Sequence, residues 1–203
     1  MPNFNVNTFH EISVTSAPVN PVVSTADMKT FLEVGYATDD TLIAAFVTTA
    51  TKLIEEYLNR ALISQTLKVF YKSYSGLVDL PHAPIQSVTT VEQISYDNNS
   101  TTLTVNNDYY VKGINDKYIE FAGNTYLPAG HTVRDILNDY QLQVTYVAGY
   151  GDDSTDIPEP IIDAVKRVVL RLYDYRDTGM SITDNLIPND AKILLEPYKN
   201  IKL

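Results

Sequence analysis

Apolar and polar positions change their spacing twice along the chain. Between Asp39 and Leu58, apolar residues recur at Leu42/Ile43, Phe46/Val47, Ala50, Leu53/Ile54 and Tyr57/Leu58. A spacing near 3.6 residues held over about five turns gives one wide apolar stripe, and predicts a packed amphipathic helix. Thr38 or Asp39 suits its N-cap, and Asp39 and Asp40 put negative charge where the helix dipole favours it. A shorter helix is expected before it. It begins at Ser24 or Thr25, where Ser24 and Asp27 have the spacing of a capping box, runs through Met28, Phe31 and Leu32, and stops near Gly35. Residues 1–22 show no helical period and contain Pro18 and Pro21, so they read as an extended arm.

From about Thr66 to Ala148 the period falls to two. Leu67, Val69 and Tyr71 alternate with polar residues, and Leu80-Pro81 ends that run. Val88 to Tyr96 and Thr101 to Val105 flank the turn Asp97-Asn98-Asn99-Ser100, and Tyr109–Lys112 and Tyr118–Phe121 flank Gly113–Asp116. Residues 123–139 are irregular and are expected to form a loop. Leu142 to Val147 make a last strand before Ala148-Gly149-Tyr150-Gly151. Helical spacing then returns with Pro158 as an early residue. Ile161, Val165, Val168/Val169 and Leu172 face one way; Asp163, Lys166, Arg167, Arg171 and Asp174 face the other. A linker, Gly179-Met180-Ser181, leads to a segment opened by Pro188, in which Ile193-Leu194-Leu195 and Tyr198 suit a short final helix. Helices, then strands, then helices, with no internal repeat, make an α+β protein rather than a βαβ one. The expected architecture is N-terminal helices, an inserted mainly antiparallel sheet, and C-terminal helices packing back on the N-terminal ones. The arm covers 1–22. A single domain covers 23–203, with a helical core of 23–64 and 157–203 and a β insertion of about 65–150.

Composition narrows the function. The chain has 203 residues, 44% hydrophobic and 20% charged, enough for a real core. With 15 Lys+Arg against 25 Asp+Glu, the net charge is −10. Such a surface argues against gripping nucleic-acid phosphates, but not against a protein that DNA passes without sticking. The absence of cysteine excludes disulfides and thiolate metal sites, and fits cytosol, periplasm or virion equally. No stretch approaches the roughly 18 apolar residues of a membrane span. The start, Met1-Pro2-Asn3-Phe4-Asn5-Val6, has no basic region followed by an apolar run, so no secretion signal is expected.

The sharpest local string is Tyr150-Gly151-Asp152-Asp153, which matches the catalytic hairpin of RNA-dependent polymerases, where adjacent aspartates hold two metal ions. The context is wrong: the chain is short and acidic, and Asp152, Asp153, Asp156 and Glu159 precede a helix, where acids are expected for dipole reasons alone. His10, His82 and His131 lie far apart, with no metal-ligand spacing, and His82 reads as a solvated turn residue between Pro81 and Pro84. No Gly-x-Ser-x-Gly elbow or phosphate-binding loop occurs. Gly149 and Gly151 lack the third glycine of a dinucleotide fingerprint. Asn98-Asn99-Ser100 and Asn99-Ser100-Thr101 are formal glycosylation sequons, read here as turn residues. No catalytic, cofactor-binding or metal-binding residue is therefore assigned, and the expectation is that the protein is not an enzyme.

Charge succession is more informative. Asp135, Asp139, Asp152, Asp153, Asp156, Glu159 and Asp163 come without an intervening Lys or Arg, and Lys166, Arg167, Arg171 and Arg176 follow at once. The plainer reading is pairing within the chain on a solvated face. The functional one is a head-to-tail interface between copies, which closes into a ring; its expected residues are Asp152, Asp153, Asp156, Lys166, Arg167 and Arg171. The 15 tyrosines suit half-buried strands and wet interfaces alike.

Ser16-Ala17-Pro18-Val19 leads into Thr25-Ala26-Asp27-Met28-Lys29-Thr30-Phe31-Leu32, and Tyr57-Leu58-Asn59-Arg60-Ala61-Leu62-Ile63 closes the long helix. Leu80-Pro81 with Pro84-Ile85-Gln86-Ser87-Val88 opens the sheet. Val144-Thr145-Tyr146-Val147-Ala148-Gly149-Tyr150-Gly151 runs into Ile157-Pro158-Glu159-Pro160-Ile161, and Ile187-Pro188 to Leu194-Leu195-Glu196-Pro197-Tyr198 ends the series. Taken in order, these strings resemble the head–tail connector (adaptor) proteins of long-tailed bacteriophages over roughly residues 13–198. The arm before residue 13 and the loop at about 123–139 look like additions. The resemblance implies a structural virion protein, without cofactor, forming a ring, usually twelve-fold, in the neck between capsid and tail and assembled in the host cytoplasm. Its partners would be other copies of itself, the portal, a downstream connector or tail protein, and DNA passing the lumen without specific binding, with no membrane. By analogy the C-terminal segment reaches the portal, which singles out Leu194, Leu195 and Tyr198. Two alternatives stand beside it: a monomeric β-rich binding module of a tail or adhesin, and a metal-dependent nucleotidyl-transfer enzyme using Asp152 and Asp153.

Overall fold

The structure is a computed structural model, and it describes residues 8–74, 76–95, 97–122, 140–176 and 185–200. The expected loop at 123–139 and linker at 179–181 lie outside these residues. The chain forms two compact units: Met1–Ala17 with Gln65–Ala148, and Pro18–Ser64 with Gly149–Leu203.

The first unit is built of strands. A five-stranded sheet has the order β1 (Thr8–Ser16), β2 (Gln65–Ser73), β8 (Tyr140–Ala148), β4 (Ile85–Ser95) and β5 (Ser100–Thr102). Every ladder in it is antiparallel. The period-two pattern becomes burial directly, since cross-strand partners share a face. Val69 faces Val144, Leu67 faces Tyr146, Tyr71 faces Leu142, and Val144 also faces Val91; all are buried. The buried tyrosines keep their hydroxyls satisfied, as burial demands: Tyr71 donates to the Asp79 carbonyl and Tyr146 to that of Pro81. Within the stretch read as an extended arm, Thr8–Ser16 is a strand that adds to β2, with Ile12 opposite Val69 and Val14 opposite Leu67.

A second, three-stranded sheet has the order β3 (Leu77–Asp79), β7 (Tyr118–Phe121) and β6 (Tyr109–Lys112). Both expected hairpins form. Asn98 takes a left-handed conformation in the first turn, and Gly113 does so in the second.

The second unit is helical. Helix α1 (Thr25–Leu32) is capped by the Ser24 hydroxyl, which accepts from the Asp27 N–H at 3.0 Å. It ends at Leu32, earlier than the Gly35 expected, because Glu33 turns left-handed (φ 57°) and returns its N–H to the last carbonyls. Helix α2 (Asp40–Leu58) buries Ile43, Val47, Ala50, Ile54 and Leu58. Its N-cap residue Asp39 does not cap it; the carboxylate instead accepts from the Tyr173 hydroxyl at 2.6 Å. Helix α3 (Glu159–Asp174) starts one residue after Pro158, and α4 (Asn189–Leu195) follows Pro188. Ile161, Val165, Val168 and Val169 of α3 join the α2 stripe, Met28 of α1, and Ala191 and Leu195 of α4 in one core. The C-terminal helices thus pack back on the N-terminal ones, as expected of this α+β chain. No helix among the described residues is long and apolar enough to cross a membrane.

Candidate assembly surfaces

The turn from Gly149 to Ile157 carries the acidic string. It is fastened to the chain after α2: Tyr150 N–H donates to the Leu62 carbonyl at 3.0 Å, and Ser64 N–H donates to that of Gly151 at 2.8 Å. This close approach explains the glycine at 149. Its φ is 133°, and a Cβ there would lie 2.5 Å from the Ile63 carbonyl carbon. At Gly151 a Cβ would instead meet the Asp156 side chain, its Cβ at 2.5 Å included.

Two of the turn's three aspartates, Asp153 and Asp156, have their carboxylates tied down. Asp153 accepts from Asn20 Nδ2 at 2.8 Å, and the same amide reaches the Asp152 carbonyl at 3.1 Å. Asp156 folds back to accept from the Asp153 N–H at 3.2 Å, closing a single 3-10 turn over Ser154–Asp156. Asn20 was invisible to motif reading, because its partner lies 133 positions away. Among the described residues no three His, Asp or Glu side chains converge as a metal site.

The basic residues of α3 have separate surroundings. Arg167 holds Asp163 one turn back at 3.0 Å and also grips Asp190 of α4. These bonds raise the Arg167 pKa, and the bond to Arg167 is the main reason that the Asp190 carboxyl sits below its usual range. The Arg171 guanidinium lies 5.0 Å from the Tyr175 ring centroid. Lys166 borders a depression of about 390 Å³ whose lining includes Val22, Asp27, Phe31, Glu159 and Ile162. The structure therefore joins Arg167 to Asp163 and Asp190, and not to Asp152, Asp153 or Asp156.

At the C-terminus, Leu195 is fully buried, Leu194 and Tyr198 are half-buried against the helical core, and Ile193 stands 75% exposed. The segment is fastened to the end of α2. Arg60 Nε donates to the Tyr198 carbonyl at 2.6 Å, Asn200 N–H to that of Leu58 at 2.9 Å, and the Tyr57 hydroxyl to Glu196 at 3.2 Å. Lys199 Nζ lies 4.4 Å from the Tyr57 ring centroid. Slight burial, with the Glu196 carboxylate next in weight, raises the Tyr57 pKa.

These surfaces lie on a chain whose residues 24–140, more than half of it, match the model of the phage gp6-like head–tail connector proteins. The chain belongs to this head–tail connector family. Solved structures agree on the connector's fold. One is the neck of an empty GTA particle computed with C6 symmetry, at 17% identity and a TM-score of 0.75, covering 96% of this chain and 97% of that one. A second is the virion of a native gene transfer agent particle, with the same identity, TM-score and coverage. A third is the neck of a native GTA particle computed with C12 symmetry, at 18% identity, a TM-score of 0.74 and the same coverage. No curated protein sequence matches the connector.

Proposed function

We propose that this connector works as a ring in the virion neck, joining the portal to the tail or the next connector around the DNA path, in a structural rather than a catalytic role. The observation that carries the reading is the family match over residues 24–140, on a fold shared across 96% of the chain with neck components of particles computed with six- and twelve-fold symmetry. The two units of the chain act in it as one connector domain, assembled in the host cytoplasm. Subunit contacts draw on Asp152, Asp153, Asp156, Lys166, Arg167 and Arg171. Since Arg167 is already paired within the chain, Lys166 and the exposed Asp152 are the better groups to test.

The C-terminal segment is the proposed portal contact, with Leu194 and Tyr198 meeting the portal and Leu195 anchoring the segment in the core. Native mass spectrometry and electron microscopy, with and without portal protein, test the reading. A closed ring, alone or on the portal, is expected. A persistent monomer that also fails to bind portal overturns it. Lys166→Glu is expected to impair assembly while leaving the monomer folded by circular dichroism.

A further inference from the structure

The turn between β6 and β7 breaks the usual composition of a hairpin tip. Ile114 stands there 86% exposed, with Lys112, Asp116 and Lys117 around it. Turn tips are ordinarily polar, and nothing in the chain's own folding rewards an isoleucine in water. The tip is also held firmly. Ile85 N–H donates to the Asn115 carbonyl at 2.8 Å, and Lys117 Nζ donates to that of Gln86 at 2.5 Å. Gly113 takes a φ of 89°, with no room for a Cβ against the Asp116 carbonyl. A fixed apolar knob on a rigid turn enters a binding contact without the ordering cost that a mobile loop incurs.

A receptor of matching character exists on the helical unit. The depression beside Lys166 has Phe31, 39% exposed, as its accessible apolar side chain; Val22 and Ile162 also line it but are buried in the core. Its charged groups are Asp27, Glu159 and Lys166. Two acids and one base there against two bases and one acid on the tip make the two surfaces complementary in charge, with Phe31 as the apolar match for Ile114. The tip and the depression are different surfaces, so the contact they make is head-to-tail and propagates from copy to copy.

We infer that the Ile114 hairpin of one copy seats in the depression bordered by Phe31 and Lys166 of the next. The inference rests on the ring reading above and names the surfaces that form it. Because the chain contains no cysteine, the double variant Ile114→Cys/Phe31→Cys carries only the two thiols of interest. Both positions are exposed, so the core is untouched. Mild oxidation of the assembled double variant is expected to give a ladder of covalent oligomers beyond the dimer, whereas each single variant stops at the dimer. A ring that assembles and shows no ladder overturns this contact and leaves the ring reading standing. Wild-type protein that never assembles, even with portal present, overturns both.

A second measurement needs no variant. Carbodiimide coupling of wild-type rings mixed from light and ¹⁵N-labelled copies is expected to join Lys112 or Lys117 of one copy to Asp27 or Glu159 of another. Coupling of Asp27 or Glu159 to a different protein, or only to other sites, overturns the inference.

Discussion

Gly149 and Gly151 share one turn and answer to different constraints. At Gly149 both the left-handed φ of 133° and the Ile63 backbone 2.5 Å from a notional Cβ oppose any side chain. Backbone cannot swing aside. Gly149→Ala is therefore expected to cost about 1–3 kcal/mol, and to lower the melting temperature by about 2–4 °C for each kcal/mol in a chain of this size. At Gly151 φ is ordinary, and the obstacle is the Asp156 side chain, from its carboxylate down to its Cβ at 2.5 Å. Rotation moves the carboxylate but not the Cβ, so the 154–156 turn itself must shift and give up the Asp156 bond to the Asp153 N–H. Gly151→Ala should cost about 1–3 kcal/mol, from crowding alone. Asp156→Ala keeps the obstructing Cβ and should leave most of that cost in place, whereas Asp156→Gly should relieve it, and double-mutant cycles by urea denaturation check the difference. The pair also shows what is legible at this scale. A Gly-Tyr-Gly turn between strand and helix can be read from the string. The reason for the first glycine, a chain crossing at Ile63, cannot, because it depends on a segment more than eighty positions earlier.

At the scale of elements, legibility followed periodicity. The α2 stripe and the strands β2, β6 and β7 appear where the spacing of apolar residues puts them, since one spacing decides both element and buried face. Ends and partners were harder. Helix α1 stops at a left-handed Glu33, a non-glycine C-cap that composition does not flag, and β1 became a strand only because β2 offers it an edge. Helix α4 is the instructive case. Seven residues are too few for a stable isolated helix, so its place depends on Ala191 and Leu195 in the core and on Asp190 held by Arg167. The Asp190 pKa is lowered in the folded chain, first by its bond to Arg167. Its stabilisation is complete above the ordinary carboxylate pKa of about 3.9, and is lost as pH falls through the lower folded value. Asp190→Asn should thus lower stability at pH 7 by no more than about 1 kcal/mol, because the pair is solvent-exposed. The gap between variant and wild type should shrink toward pH 3. Urea midpoints at the two pH values test it, and an equal gap at both would assign the effect to packing rather than charge.

At the scale of the whole molecule, the charge of −10 sets a problem for the proposed ring. Twelve copies, the number suggested by the C12 neck, would carry −120, at −10 each. The sum is plain in the composition, but its arrangement is not. Asp153 proved to be held by Asn20, Asp156 within its own turn, and Asp163 and Asp190 by Arg167. What neighbouring copies feel at a distance is the net charge, whereas the contact itself is governed by local pairs and apolar burial. Salt separates the two. The screening length is about 30 Å at 0.01 M and about 10 Å at 0.1 M, so low salt lets whole copies repel while physiological salt confines electrostatics to contact range. Assembly should therefore strengthen between about 10 and 150 mM NaCl as long-range repulsion is screened. It should then level or weaken toward 1 M, where a screening length of about 3 Å also reaches the paired lysines and carboxylates of the hairpin contact. Sedimentation velocity across that series reads the assembled fraction directly. A steady fall from the lowest salt would mean that local acid–base pairs outweigh net repulsion throughout, and that the acidic composition has little influence on how copies meet.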